Sequence, residues 1–331
     1  VGLTCLDDPE SIFQMAVNPK GLINSDSVSR YLVISPVFLF PIFINQGVDG
    51  IIMQTAAETV FPTAAKECQD AEMPFVMSTF TGTDEDRADQ NANNPYYLGT
   101  VTSDMVAEGY LIGKRAAEDG MKTAVLLGGN VGDAHFEMRI EGFTKAFVEE
   151  GGGTILDEAR CTAPPEGQEK ANAMLSAHPD ADCLFAMVGD YVPGAIGAME
   201  TLGLEMPIYC TNANTDCIEY LRNGKVVAAT AGNDLVGTIA TALLINYLDG
   251  YQILDADGHA PELTNEGFIV DDTNLDKYEE IFVTEGHPFH EATIQQLLWR
   301  YNPDITYDDI VEFLKTDLQW EGLNAAWEAT K

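Results

Sequence analysis

The sequence predicts an α/β protein made of two Rossmann-like lobes, each a doubly wound parallel sheet, with a helical extension at the carboxyl end. Three observations carry this expectation. Apolar strand-like runs alternate with helix-length segments along most of the 331 residues. Several runs, such as Thr123–Leu127 and Cys183–Met187, are continuously apolar, as strands buried on both faces are. The same grammar occurs twice, on either side of about Ser103. A chain of this length is comfortable for two cores.

In order, Val1–Leu6 reads as a strand, with a turn at Asp7, Asp8 and Pro9. Arg30–Ser35 is a second β-branched run. Pro36–Ile44 is apolar, but Pro36 and Pro41 argue against a regular helix. Val48–Gln54 is a buried strand and Thr59–Ala71 a helix with Val60, Ala64, Ala65 and Cys68 on one face. Phe75–Ser78 is the next strand, and the acidic, Asn-rich stretch Thr81–Asn94 reads as a loop. Tyr96–Val101 is a strand, after which Asp104 caps a helix bearing Met105, Val106, Leu111, Ile112 and Ala116. Gly120 stops that helix. Thr123–Leu127 then leads through the loop Gly128, Gly129, Asn130 and Gly132 to a helix over Phe136–Phe147.

The second half continues in kind. Thr154–Glu158, Cys183–Met187, Ile208–Thr211 and Val226–Ala231 read as strands. Gly167–Ala177, Pro193–Leu202, Thr215–Leu221 and Val236–Leu248 read as the helices between and after them. Phe268–Val270 is one more strand, followed by the acidic run Asp271–Glu280. Thr293–Tyr301, Thr306–Asp317 and Trp320–Ala329 are amphipathic helices that hold all three tryptophans. They are expected to pack their aromatics on a lobe, or to offer a docking surface to a partner.

Charge excludes some functions. Lys and Arg number 17 against 53 Asp and Glu, a formal net charge of −36. Such a surface repels phosphate backbones and anionic lipid, so no nucleic-acid partner is expected. No run reaches the roughly 18 apolar residues of a membrane span. The six cysteines have neither CxxC nor zinc spacing, and nothing in their placement demands a disulfide. Cys183 and Cys210 fall in apolar strands and read as small buried hydrophobes.

Catalytic patterns are thin: GxSxG, HExxH and the P-loop are all absent. Gly128–Gly132 (GGNVG) has the wrong glycine spacing for a dinucleotide. His287 and His290 flank Pro288 without a further ligand, and Asp255, Asp257 and Gly258 lack the glutamate of a calcium loop. No cofactor, metal or catalytic residue is expected. What remains is a set of side chains at strand ends, where open α/β sheets bind ligands. Arg139 follows the loop after Thr123–Leu127, Asp190 and Tyr191 follow Cys183–Met187, Asn212 follows Ile208–Thr211, and Thr79 and Phe80 follow Phe75–Ser78. Arginine only donates, ionised aspartate only accepts, and asparagine does both, a mixture that suits sugar hydroxyls. Singly, each is as readily explained by local capping or an ion pair. Arg139 could pair with Asp133, Glu137 or Glu141.

The segments QGVDGIIMQ (Gln46–Gln54), MPFV (Met73–Val76), YLGTVTSDMVAEG (Tyr97–Gly109), RIEGF (Arg139–Phe143), LFAMVGD (Leu184–Asp190), GAIGAM (Gly194–Met199) and RNGKVVAATAGNDLVG (Arg222–Gly237) together resemble the type I periplasmic binding proteins. These are the solute receptors of sugar ABC transporters, related to the core of LacI-type repressors. The resemblance runs from about Gln46 to Tyr278. It implies two lobes joined by a three-crossover hinge. The amino-terminal lobe would take 1–102 plus 233–267 and the carboxy-terminal lobe 103–232 plus 268–284. Residues 285–331 would form the helical extension. It also implies ligand contacts at Arg139 and Asn212, and, with the strand-end set, a site of Phe13, Thr79, Phe80, Arg139, Asp190, Tyr191, Asn212 and Asn233. Departures enlarge the expected pocket: Gly189 stands where the family commonly has Asn, Gly232 where a Gln is frequent, and Thr79–Phe80 where an Asp-Arg pair is common.

The function so implied is an extracytoplasmic solute-binding protein, a monomer without enzymatic activity. It would hold a small carbohydrate-like ligand between closing lobes and deliver it to the permease of an ABC importer. The sequence opens at Val1 without Met, so any signal or anchor is expected to have been removed or left out ahead of it. The rival is the effector core of a LacI-type regulator, or a ligand sensor without transport. A regulator would require a DNA-binding helix-turn-helix ahead of Val1, and the charge argues against DNA. A doubly wound enzyme is the third reading, and it lacks a nucleophile or acid–base pair.

Overall fold

A computed structural model describes residues 31–34, 48–53, 58–78, 81–284, 289 and 291–329. The expected strand Val1–Leu6, the segment Pro36–Ile44 and the HxxH at His287–His290 lie outside the described residues. The chain divides into two compact units. One comprises Val1–Ser103, Asp234–Asn265 and Pro288–Lys331, so far as these are described. The other comprises Asp104–Asn233 and Glu266–His287. Of residues 285–331, expected to form a separate extension, the described ones group with the first unit.

The first unit holds a parallel sheet ordered β1 (Tyr31–Ile34), β2 (Gly50–Met53), β3 (Phe75–Met77), β4 (Tyr97–Ser103) and β10 (Glu262–Asn265). Its core gathers Ile51, Met53, Phe75 and Met77 from the strands around Phe61 of α1 (Phe61–Asp70). Tyr97 lies between Phe61 and Phe75, with ring centroids at 6.2 and 5.6 Å. Strand β10 was not evident in the sequence because its alternating pattern, ELTN, is short and half polar.

The acidic stretch expected to be a loop is largely a helix, α2 (Asp84–Asn93). The physical reason is its amino end. The Thr83 hydroxyl accepts from the Asp86 amide, and the Asp86 carboxylate accepts from the Thr83 amide at 2.9 Å. Asp84, Glu85 and Asp86 all sit in the first turn, beside the positive end of the helix dipole. Only Gln90 is buried, so the helix has almost no apolar face to betray it.

The tail packs on its own unit. Asn246, buried in the helix Val236–Leu248, donates to the Leu297 carbonyl at 2.9 Å and accepts from the Trp299 amide at 2.7 Å. Trp299 stacks on Tyr251, centroids 5.6 Å apart, and Arg300 pairs with Asp249. The first expected tail helix is cut short, ending at Gln295, whereas Tyr307–Lys315 and Trp320–Glu328 are helical as expected.

The second unit has six strands in the order β6 (Thr154–Arg160), β5 (Thr123–Gly128), β7 (Cys183–Ala186), β8 (Ile208–Cys210), β9 (Val226–Ala231) and β11 (Phe268–Asp271). All neighbours are parallel except β9 and β11, which run antiparallel at one edge. The chain leaves β5 for β6 on one side and returns to β7 on the other. The loops after β5 and β7 therefore diverge at a topological switch point. Phe143 stacks on Phe185 at 4.5 Å and on Phe147 at 5.1 Å over this sheet. Among the described residues, no helix is long and apolar enough to cross a membrane.

Candidate ligand-binding site

Two helices of the second unit pack against each other: α3 (Met105–Glu118) and α4 (Ala134–Phe143), the latter following the loop that leaves β5. Asp104 caps α3, accepting from the Ala107 amide at 2.8 Å, as its position in the sequence predicted. Asp133 caps α4 in the same way, through the His135 amide. The helices touch backbone to backbone. A Cβ on Gly109 would lie 2.0 Å from the Arg139 carbonyl oxygen, and one on Gly142 would lie 1.9 Å from that of Val106. The glycines in the AEG and RIEGF motifs are thus required by helix contact.

That contact buries an ion pair. Glu108 lies one residue before Gly109 and Arg139 three before Gly142, and the two meet across the helices, with Nε and Nη2 of Arg139 both 2.9 Å from Glu108 Oε2. Their side chains are 1% and 6% exposed. Burial pushes the Glu108 carboxyl above its ordinary range, and the Arg139 charge and the Asn233 amide offset part of that rise. The surface alternative for Arg139 does not hold: Glu137 instead accepts from Arg160 at 2.7 Å and from the Gly132 amide at 2.8 Å. Arg139 also lies in the middle of α4 rather than at its start, because the helix begins at Ala134. One turn earlier, His135 is held to about 4, first by burial and then by the Arg139 charge, against the pull of Asp133.

Across the switch point, the ends of β7, β8 and β9 are laced together. The Thr211 hydroxyl donates to the Met187 carbonyl at 2.6 Å, and the Gly189 amide donates to the Thr211 carbonyl at 2.9 Å. The Asn212 amide donates to the Thr230 hydroxyl and the Ala213 amide to the Thr230 carbonyl. Asn212 adopts a left-handed backbone, φ 57°, which asparagine tolerates better than most residues. Asp190 is exposed and accepts from Asn214 Nδ2 at 2.7 Å. Tyr191 is only 3% exposed and meets the half-buried Phe136 edge to face at 6.2 Å. Burial and nearby acids push the Tyr191 hydroxyl up to about 12, so it stays protonated and able to donate.

The structure therefore places Arg139, Asp190, Tyr191 and Asn212 on elements that leave the carboxyl ends of β5, β7 and β8, and Asn233 just beyond β9. Phe13, Thr79 and Phe80 lie outside the described residues. Sequence reasoning missed Glu108, His135, Phe136 and Asn214. Glu108 could have been found from its place beside the glycine of a quoted motif, but its pairing depends on a helix crossing that no local signal encodes. Gly232, where a Gln is frequent, has φ 94°, and a Cβ there would meet the Phe268 ring at 2.8 Å. The position excludes a side chain for steric reasons. Arg139 is joined to Glu108, Asp190 to Asn214 and Tyr191 to Phe136; as donors, acceptors and an aromatic edge, such groups suit hydrogen bonding to a polar solute.

Residues 42–252 match the periplasmic binding protein domain family. The chain belongs to the periplasmic binding protein family. Among curated relatives it resembles the galactofuranose-binding protein YtfQ of Escherichia coli (strain K12), at 29% identity over 170 residues. That alignment covers 49% of this chain and 51% of the relative, so the chain spans about half the length of the curated relative it matches. Two solved structures share the fold. An ABC transporter periplasmic solute-binding protein from Actinobacillus succinogenes 130z, with bound D-allose, has a TM-score of 0.63 at 22% identity, covering 73% of this chain and 85% of its own. The binding protein of the arabinose ABC transporter from Shewanella sp. ANA-3, bound to L-arabinofuranose, has a TM-score of 0.62 at 21% identity, covering 77% and 82%. This periplasmic binding protein thus carries its polar strand-end set on the expected doubly wound frame.

Proposed function

We propose that this periplasmic binding protein captures a monosaccharide, with furanose forms as the first candidates, and delivers it to the permease of an ABC importer outside the cytoplasm. The observation that carries the reading is the polar set at the switch point of the second unit: Arg139 with Glu108, Asp190 with Asn214, and Asn212, beside the ring of Phe136. Guanidinium, carboxylate and amide together match hydroxyls that donate and accept at once, and an aromatic edge suits the C–H face of a sugar. The relative named for galactofuranose and the neighbour bound to arabinofuranose support a furanose. We take Thr79, Phe80 and Phe13 as the contribution of the first unit, with lobes bounded near residues 102–103 and 232–233, closing on the ligand by hinge motion. The protein acts as a monomer and without turnover.

Calorimetric titration with methyl β-D-galactofuranoside, L-arabinose and D-allose tests the reading. Binding of one of them stabilises the fold by about 2.7 kcal/mol at a hundredfold excess over Kd, visible as a rise in melting temperature. The ligand should be recovered unchanged by mass spectrometry. Failure of all three sugars to bind would sink the sugar reading, and a converted product would sink the absence of catalysis.

A further inference from the structure

We propose that Cys210 and Cys217 form a disulfide that closes the loop between β8 and the helix Thr215–Arg222, fixing the segment that carries Asn212 and Asn214. Both side chains are fully buried and their sulfurs lie 3.6 Å apart, in contact with each other. Cys210 ends β8, and Cys217 sits in the first turn of the helix, its amide donating to Asn214 Oδ1 at 3.0 Å. Both are free thiols in this structure, so the sulfurs must turn toward each other to reach the bonding distance of about 2.05 Å.

Gly189 supplies an independent observation. A Cβ at this position would come within 2.7 Å of both the Cys217 sulfur and the Asn212 carbonyl oxygen. The absence of a side chain at 189 leaves room for the Cys217 sulfur and for the backbone of Asn212, so the loop is packed closely around one of the two thiols. Asn214, between the two cysteines, also holds Asp190 at 2.7 Å. The link would thus restrain three polar residues of the proposed sugar site, and only this consequence rests on that reading.

The oxidant is a disulfide, either a small molecule or a thiol–disulfide oxidoreductase. One cysteine thiolate attacks it to give a mixed disulfide and release one thiol. The second cysteine then displaces the other thiol, so two protons and two electrons leave the pair and two thiols are produced. In the folded protein the Cys210 thiol is pushed well up, by its contact with Cys217 and by burial, so the reaction belongs to folding, before the sulfurs are enclosed.

The full chain, denatured, reduced and refolded in a mixture of oxidised and reduced glutathione, provides the test. Alkylation under denaturing conditions and proteolytic mapping should give a cross-linked peptide pair holding Cys210 and Cys217, two hydrogens lighter than the reduced pair. The oxidised protein should melt about 3–8 °C above the same protein after reduction, and Cys217→Ser should abolish that difference. Full alkylation of both sulfurs after oxidative refolding, or Cys210 joined to another cysteine, overturns the proposal. The mapping needs no ligand, so it stands or falls apart from the sugar titrations.

Discussion

Each unit contains an arginine that ties separate elements together, and the two are built differently. In the second unit, Arg139 binds Glu108 across two helices with side chains 6% and 1% exposed. In the first, Arg87 on α2 reaches Glu262 of β10 at 2.8 Å, Asp84 and the Gly82 carbonyl, with 15% exposure for itself, 46% for Glu262 and 100% for Asp84. The bond lengths are alike, yet the energetics are not. A buried pair has lost its water, so removing one partner strands a charge, whereas a wet pair falls back on solvent. Location, not geometry, decides what each arginine contributes.

The largest effect should come from Arg139→Met, which leaves Glu108 enclosed without its cation. A loss of about 3–5 kcal/mol is expected in denaturant unfolding. Part of that loss will be relieved if Glu108 takes up a proton, toward which burial already pushes it. Adding Glu108→Leu to the same chain should recover most of the loss, since the stranded charge is then gone. If the double variant is as unstable as the single one, the pair is not the source of the effect, and the contrast with Arg87 collapses.

The helix crossing beneath that pair is the second target. Gly142→Ala drives a methyl to 1.9 Å from the Val106 carbonyl oxygen, so α3 and α4 must separate. Overpacking of this kind typically costs about 1–3 kcal/mol. A melting temperature equal to wild type would show that the helices are free to part, and with them the ion pair.

The same crossing marks where the sequence was legible. Strands β5 and β7 announced themselves as unbroken apolar runs, and Asp104 announced the start of α3, because burial on two faces and capping both leave local patterns. Arg139 stood out as a donor near a strand end. Its partner Glu108 did not, being 31 residues away and meeting it only through the crossing. Helix α2 was hidden for the opposite reason: it is held by end effects at Thr83 and Asp86, with no apolar stripe to give it a period. Tyr191 looked like a ligand-facing ring, but its neighbour Phe136 is the more open of the two. Facing is set by the turn after β7, which composition does not reveal.

Acid should expose the same asymmetry. His135 lies beside Arg139 and titrates near 4 in the folded protein against 6.5 ordinarily. The unfolded chain therefore binds the proton first, and stability falls as pH drops from about 6.5 through about 4. At most, about 3.4 kcal/mol is at stake. Glu108, raised by burial, acts in the opposite sense, its contribution being present at low pH and lost as pH rises through its folded value. Comparing His135→Asn with wild type separates the two. The variant should lose less stability than wild type over that window, and parallel curves would remove His135 from the account.

The smallest effect belongs to Glu262→Gln in the first unit. The side chain is half in water, and Arg87 keeps Asp84 and the Gly82 carbonyl when Glu262 is neutralised. Exposed pairs contribute about 0–1 kcal/mol, and salt screens that further. The chain also carries a formal charge of −36, so deleting one negative charge relieves repulsion across the surface. The two terms oppose each other, and the net change should lie within about 0.5 kcal/mol of zero at low salt and vanish at high salt. A loss above about 2 kcal/mol would mean that Arg87 behaves as Arg139 does. Partial exposure would then be no guide to which ion pairs hold this protein together.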